Sequence, residues 1–350
     1  MKIAIDISPL QTGHKVRGAG FYLENLKRAL VKYYSQNEYK FFTRGENLPE
    51  DIDLVHFPYF EPFFLALPIY KKYLTVVTVH DLTPIVFKKH FPRGLKGEIK
   101  WQMQKYALKK ANAIITDSNC SKKDIVKHVG VSPEKVSVVY LAAGEDFKII
   151  HSSDSITENL RDKYKFPKKF VLYVGDVTWN KNLPRLIEAV KSINVSLVMV
   201  GKALVSEDFD RNNPWNKDLV KVQDLVKDDK NIIRLGFVPT EDLVVIYNLA
   251  TVFVMPSLYE GFGLPILEAM SCGCPVITTK QGSLAEVAGE AAYYVDGYSK
   301  ESMAKGIKEV FENPILQKKL LQDGLKRINE FSWKKAAGET LEVYKKVIES

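Results

Sequence analysis

Glu260-Gly-Phe-Gly-Leu-Pro-Ile-Leu-Glu268 sets two carboxylates across a glycine-broken loop and the start of a helix. Pro265 suits the first helical turn, where its missing N–H has no partner to lose. Gly261 and Gly263 allow a sharp turn and a close backbone approach to a ligand. The helix start then offers N–H groups and the positive end of its dipole, which favour a phosphate. The spacing predicts Glu260 in the loop and Glu268 in the first helical turn. One phosphate site flanked by two hydroxyl-binding carboxylates suits a sugar nucleotide. The same residues also fit a plain turn, with Glu268 answering the helix dipole and Glu260 solvated. The rest of the chain decides between these.

Outward from this stretch, short β-branched runs alternate with amphipathic helical segments, which argues for parallel α/β architecture. Strands are expected at residues 2–7, 39–43, 54–57, 74–79, 113–116 and 136–139. A second series follows at 170–174, 196–200, 232–235, 252–255, 276–278 and 292–295. Between them, residues 147–169 are polar and read as a linker with a short helix. Two Rossmann-like domains are therefore expected, at residues 1–155 and 156–330. An amphipathic helix over 331–350, anchored by Trp333 and Tyr344, is expected to pack back on the first. Such sheets bind ligands at the carboxyl ends of their strands, and two facing sheets would hold a ligand in the cleft between them.

Composition narrows the function. The 350 residues are 46% hydrophobic and 11% aromatic, as in a globular protein. No apolar run reaches the roughly 18 residues of a membrane span. The charged start, Met1 to Asp6, reads as a buried strand and not as a signal peptide. Three cysteines make no disulfide framework and suit a reducing cytoplasm. The net charge is +8, and the first 160 residues carry 23 basic against 17 acidic side chains. Within them, Phe87 to Lys110 holds Lys88, Lys89, Arg93, Lys96, Lys100, Lys105, Lys109 and Lys110, interleaved with Phe87, Phe91, Trp101 and Tyr106. Such a segment suits an anionic membrane surface, or a solvated helical face with its aromatics in the core. No nucleic-acid-binding module accompanies the charge, so no nucleic acid partner is expected.

Several polar residues fall where strands should end. Arg17-Gly-Ala-Gly20 follows the first strand, and His80-Asp81 follows the strand at 74–79. Gly175 to Asn182, Gly201-Lys202 and Gly236-Phe237 follow strands of the second series. Together with Leu172-Tyr-Val-Gly-Asp-Val-Thr-Trp-Asn-Lys-Asn182 and Ala269-Met-Ser-Cys-Gly-Cys-Pro-Val276, these resemble the retaining glycosyltransferases of family 4, which have the GT-B fold. The resemblance covers nearly the whole chain. The opening glycine loop and Phe331-Ser-Trp333 look most like bacterial mannosyltransferases of O-antigen and capsule assembly.

The resemblance implies roles. Glu268 would bind the ribose hydroxyls of the nucleotide, and Glu260 the hydroxyls of the transferred hexose. The backbone of Gly261, Phe262, Gly263 and Leu264 would hold the diphosphate and sugar. Lys181 would neutralise the diphosphate, alone or with Lys202. His80 would face the anomeric region and the sugar's 6-position. Gly236, Phe237 and Val238 would line the base, and Gly18 and Gly20 would let the first loop approach donor or acceptor. The catalytic set is then His80, Glu260 and Lys181. Many relatives carry Arg where this chain has Asp176, which cannot clamp a diphosphate.

Asp51-Ile-Asp53 and Asp208-Phe-Asp210 spell the D-x-D of metal-dependent transferases, but neither follows a strand, and no metal is expected. No cofactor is expected either, since the nucleotide sugar is a co-substrate. The expected reaction moves a hexose, first of all mannose from GDP-mannose, to a growing glycan with retention. The acceptor would be a lipid-linked oligosaccharide, and the enzyme cytoplasmic or peripheral on the inner face of the plasma membrane. UDP- or dTDP-sugar transfer, a sugar-nucleotide 2-epimerase and a non-catalytic glycan- or partner-binding subunit are the alternatives.

Overall fold

The computed structural model describes residues 1–13, 18–150 and 154–350. The chain divides into two compact units, Met1–Gly144 with Phe331–Ser350, and Glu145–Glu330.

The strands of the first unit are β1 (Lys2–Asp6), β2 (Glu38–Phe42), β3 (Leu54–Phe57), β4 (Leu74–Thr78), β5 (Ala113–Thr116) and β6 (Val136–Val138). They form one sheet in the order β2-β1-β3-β4-β5-β6, parallel at each pairing. The second unit has β7 (Val171–Val174), β8 (Leu197–Val200), β9 (Ile232–Leu235), β10 (Val252–Met255), β11 (Val276–Thr278) and β12 (Tyr293–Tyr294). Its order is β12-β11-β10-β7-β8-β9, again parallel throughout. The strands arise where expected, because parallel strands covered on both faces are continuous apolar runs. Every residue of β3, β5, β8 and β10 is buried.

Register fixes what meets at the strand ends. In β4 and β5, Thr78 lies level with Ile115. The same register carried two residues further brings His80 level with Asp117. In the second unit the exits of β7 and β8 are pressed together. A side chain at Gly201 would start 2.0 Å from the Gly175 carbonyl, so only glycine fits there.

The helix Trp333–Ile348 belongs to the first unit. Ser332 caps it, accepting from the Lys335 N–H. Its buried face repeats at helical spacing through Trp333, Ala336, Ala337, Thr340, Leu341, Tyr344 and Val347. Trp333 Nε1 donates to the Ala143 carbonyl at 3.1 Å. Tyr344 Oη meets Nδ1 of buried His56 at 2.7 Å. Burial, and secondarily His80, push the His56 imidazole down to about 3, so it is neutral.

The basic stretch from Phe87 to Lys110 is not one amphipathic helix. A short helix, Thr83–Val86, precedes it and a longer one, Gly94–Lys109, ends it. Phe91 and Trp101 are buried, while Leu95, Ile99 and Tyr106 are exposed. Packing against the core took the largest aromatics and left a separate apolar stripe outside. Among the described residues no helix is long and apolar enough to cross a membrane.

Candidate active site

The second unit gathers most of the expected residues. The helix Leu264–Ser271 has Pro265 in its first turn and Gly263 as its N-cap, in the left-handed region at φ 108°. Gly263 is thus a conformational requirement. Glu268 lies one turn inside this helix and not in the first turn as expected. The register follows from the helix starting at Leu264, not in the glycine loop. Glu268 therefore gains little from the helix dipole, which acts mainly at the first turn.

Glu268 is buried, and its Oε2 accepts from Tyr247 Oη at 3.0 Å. Burial pushes its carboxyl up to about 7, and the Tyr247 hydroxyl pulls it partly back. A buried carboxylate with one neutral donor retains capacity to accept from ligand hydroxyls.

Lys181 and Glu260 meet directly. Lys181 Nζ lies 2.8 Å from Glu260 Oε1 and 2.9 Å from Oε2. The two loops that carry them are stitched together by asparagines. Asn180 Nδ2 donates to the Tyr259 carbonyl at 2.9 Å, and the Leu258 N–H donates to the Asn180 carbonyl at 2.7 Å. Asn182 Nδ2 donates to the carbonyls of Pro256 and Gly297, at 2.9 and 2.7 Å. Asn182 is left-handed at φ 58° and turns the chain from Lys181 into the helix Leu183–Ser192.

A third loop grips the Glu260 turn from behind. Ser283 Oγ is within hydrogen-bond distance of the carbonyls of Glu260 (3.0 Å) and Phe262 (2.8 Å). Gly282, at φ 61°, would place a Cβ 2.8 Å from the Glu260 nitrogen. Sequence reading missed Asn180, Asn182, Tyr247, Gly282 and Ser283. Asn180 and Asn182 lay inside the quoted Leu172–Asn182 stretch without a role, and Gly282-Ser283 carried the signal of a turn-forming pair just after β11.

The remaining donor-side residues fall at strand exits. Gly236 follows β9, and a Cβ there would come 2.8 Å from Val205. Phe237 is exposed and Val238 buried. Lys202 is exposed at the start of the turn Lys202–Val205. Asp176 Oδ1 accepts from the Val177 N–H at 2.8 Å, so part of this carboxylate braces its own loop.

In the first unit, His80 follows β4 and Asp117 follows β5. His80 Nδ1 and Asp117 Oδ2 are 2.7 Å apart. Gly18 and Gly20 lie inside the helix Gly18–Tyr33, and not in the loop before it. Among the described residues, a side chain at Gly18 would meet nothing within 4 Å. Arg17 lies outside the described residues. Asp51 pairs with Lys2, Asp53 Oδ2 accepts from the Lys2 N–H, and Asp210 Oδ1 accepts from the Asn212 N–H.

Two Rossmann-like units with ligand-type loops at the carboxyl ends of parallel strands define a GT-B architecture, and solved structures agree. Sucrose-phosphate synthase from Thermosynechococcus elongatus matches with a TM-score of 0.78 at 19% identity, covering 100% of this chain and 99% of that one. Anabaena HepE, solved with UDP-glucose, matches with a TM-score of 0.72 at 19% identity, covering 98% and 100%. These likenesses concern the fold. Residues 156–327 match the family described as Glycosyl transferases group 1, and residues 14–143 match Glycosyltransferase Family 4. The chain belongs to these glycosyltransferases. It is 28% identical over 272 residues to the Escherichia coli O-antigen chain mannosyltransferase B, covering 77% of this chain and 70% of that one. It is 27% identical over 282 residues to the Escherichia coli serotype-specific mannosyltransferase WbdA, covering 79% of this chain. The match spans 34% of that relative's length.

Proposed function

We propose that this chain transfers a hexose from a nucleotide diphosphate sugar to a hydroxyl of a growing cell-surface polysaccharide, with retention at the anomeric carbon. The observation that carries this is the Lys181–Glu260 pair, which joins the loop after β7 to the loop that leads into the helix bearing Glu268. A cation, a helix start and two carboxylates are what a diphosphate, a hexose and a ribose each need. Departure of the diphosphate concentrates negative charge, and fixed donors with a cation stabilise that charge most. The site needs no resident cofactor or metal in this reading, because the nucleotide sugar is a co-substrate. Mannose from GDP-mannose is the first choice of donor, on the likeness to the Escherichia coli mannosyltransferases.

The proposed acceptor is a lipid-linked oligosaccharide, with the enzyme peripheral on the inner face of the plasma membrane. Leu95, Ile99 and Tyr106 recur on one exposed side of the helix Gly94–Lys109. Exposed Phe64 carries Lys100 Nζ 5.5 Å above its ring. Apolar side chains set among lysines suit an anionic bilayer. Flotation with phosphatidylglycerol vesicles, and not with phosphatidylcholine vesicles, is the expected result; equal failure with both removes the membrane from the account.

The reaction is tested by incubating the purified chain with GDP-mannose or UDP-glucose and membranes bearing lipid-linked oligosaccharide. A hexose-extended product by mass spectrometry is expected. Conversion of the donor without acceptor would point to epimerisation, and no reaction would point to a binding subunit.

A further inference from the structure

One side chain of the second unit holds Glu268 from within. Glu268 Oε2 accepts from Tyr247 Oη at 3.0 Å, while Oε1 accepts from none of the described residues. Glu268 keeps 8% exposure and Tyr247 has none. The carboxylate is thus fixed by one oxygen on its buried side, with the other left for a ligand.

Tyr247 is itself fixed. It lies on the helix Thr240–Leu249, and its ring meets Phe253 of β10 edge-on at 5.5 Å and Phe147 at 6.0 Å. Beside it, Asn248 Nδ2 donates to the Lys148 carbonyl at 3.0 Å, and Asn248 Oδ1 accepts from the Ile150 N–H at 2.9 Å. The start of the polar linker is therefore clamped next to the tyrosine. Burial, and secondarily Glu268, hold the Tyr247 hydroxyl well above its ordinary range, so it keeps its proton and donates.

Among the described residues no cation acts on this carboxylate. The other titratable groups beside the pair are Cys272 and Cys274. Burial and Glu268 push the Cys272 thiol up to about 12, and burial raises Cys274 as well, so both are neutral. A buried carboxylate with a single neutral donor is costly. Two vicinal hydroxyls of a ligand would relieve that cost with two more donors.

We propose that Tyr247 is a positioning residue for donor binding: its hydroxyl pins Oε2 of Glu268, so that Oε1 is presented to the vicinal hydroxyls of a ribose. This rests on the donor reading above, in which Glu268 binds the ribose. The same geometry selects a ribonucleotide, because a nucleotide lacking those hydroxyls leaves the carboxylate half-satisfied. Without the Tyr247 hydroxyl the side chain is free to turn, and burial acts on the carboxyl unopposed.

The test titrates GDP and UDP, each beside its 2′,3′-dideoxy form, into the full chain and into Tyr247→Phe, from pH 6 to pH 9. For the base that binds, the unaltered chain should prefer the ribose form by about 10-fold or more at pH 8. Tyr247→Phe should weaken the ribose form by roughly 5-fold at pH 7, the scale of one hydrogen bond, and leave the dideoxy form unchanged. The carboxyl of that variant ionises at higher pH, so its affinity should level off above pH 7 and the deficit should shrink toward pH 9. Equal weakening of both forms at every pH is a structural effect and overturns the proposal, as does an unchanged ribose preference in Tyr247→Phe. Should that variant fail to fold, a crystal structure of the unaltered chain with the nucleotide decides. Ribose hydroxyls on Glu268 Oε1 with Tyr247 still on Oε2 are expected, and a carboxylate turned away from Tyr247 overturns the proposal. Equal binding of ribose and dideoxy forms by the unaltered chain, or binding of neither base, overturns the donor reading of Glu268 as well.

Discussion

Lys181 Nζ reaches both carboxylate oxygens of Glu260, at 2.8 and 2.9 Å, so the proposed diphosphate cation is neutralised by the proposed hexose carboxylate. An arriving donor must share or break this contact. The pair is partly buried, with side chains 21% and 11% exposed, so each partner restrains the other. Glu260→Gln should slow transfer strongly while leaving nucleoside diphosphate affinity equal or tighter by roughly 5-fold, about 1 kcal/mol. Lys181→Ala should weaken diphosphate binding and leave nucleoside binding unchanged. Calorimetric titration with the diphosphate and with the bare nucleoside separates the two effects.

Glu268 gives a pH dependence with a definite sign. Burial raises its carboxyl to about 7, so it is largely protonated at pH 6. Ribose hydroxyls donate best to the ionised form, so binding should release a proton below pH 7. Affinity should rise with pH up to about 7 and then level off. Titrations in two buffers of different ionisation enthalpy measure this release. Glu268→Gln should abolish it.

The same shift acts on stability. A raised carboxyl is least costly to the fold below pH 4.5 and most costly above about 7, a swing of roughly 3 kcal/mol. Glu268→Gln, whose amide oxygen can still accept from Tyr247, should raise Tm at pH 8 and leave it nearly unchanged at pH 4. A lower Tm at pH 8 would show that Glu268 is not buried as a costly charge.

Gly282→Ala should disrupt transfer without touching a ligand. Its Cβ would lie 2.8 Å from the Glu260 nitrogen, at a positive φ that alanine resists. Ser283→Ala should cost about 1–2 kcal/mol, the usual loss for a buried hydroxyl serving backbone carbonyls. Urea melts and kcat together check both, with kcat falling more for Gly282→Ala.

Much of the architecture was legible because buried parallel strands are apolar throughout: Val252–Met255 and Leu197–Val200 admit little else. Glu260 was expected in a strand-end loop, and the structure places it in one, while Lys181 was singled out only through the family resemblance. Their supports were not legible. Asn180 bonds a loop 79 residues away, and Asp117 meets His80 only through the β4–β5 register. Such pairings depend on which strands lie side by side, which local periodicity does not encode. Glu268 was placed one turn too early because the glycine loop hides where the helix begins. The basic stretch left two readings open, because a charged helix with apolar residues on two sides does not reveal which side the core will take.

The proposed chemistry stands on a nucleoside diphosphate site held by Lys181 and Glu268. Calorimetric titration with GDP, UDP and dTDP in the presence of EDTA tests it most directly, with Glu268→Ala alongside. Binding with preference for one base is expected, weakened about 10-fold or more in Glu268→Ala, the cost of one charged hydrogen-bonding partner. Binding to none of the three, or equal binding by the variant, would contradict it.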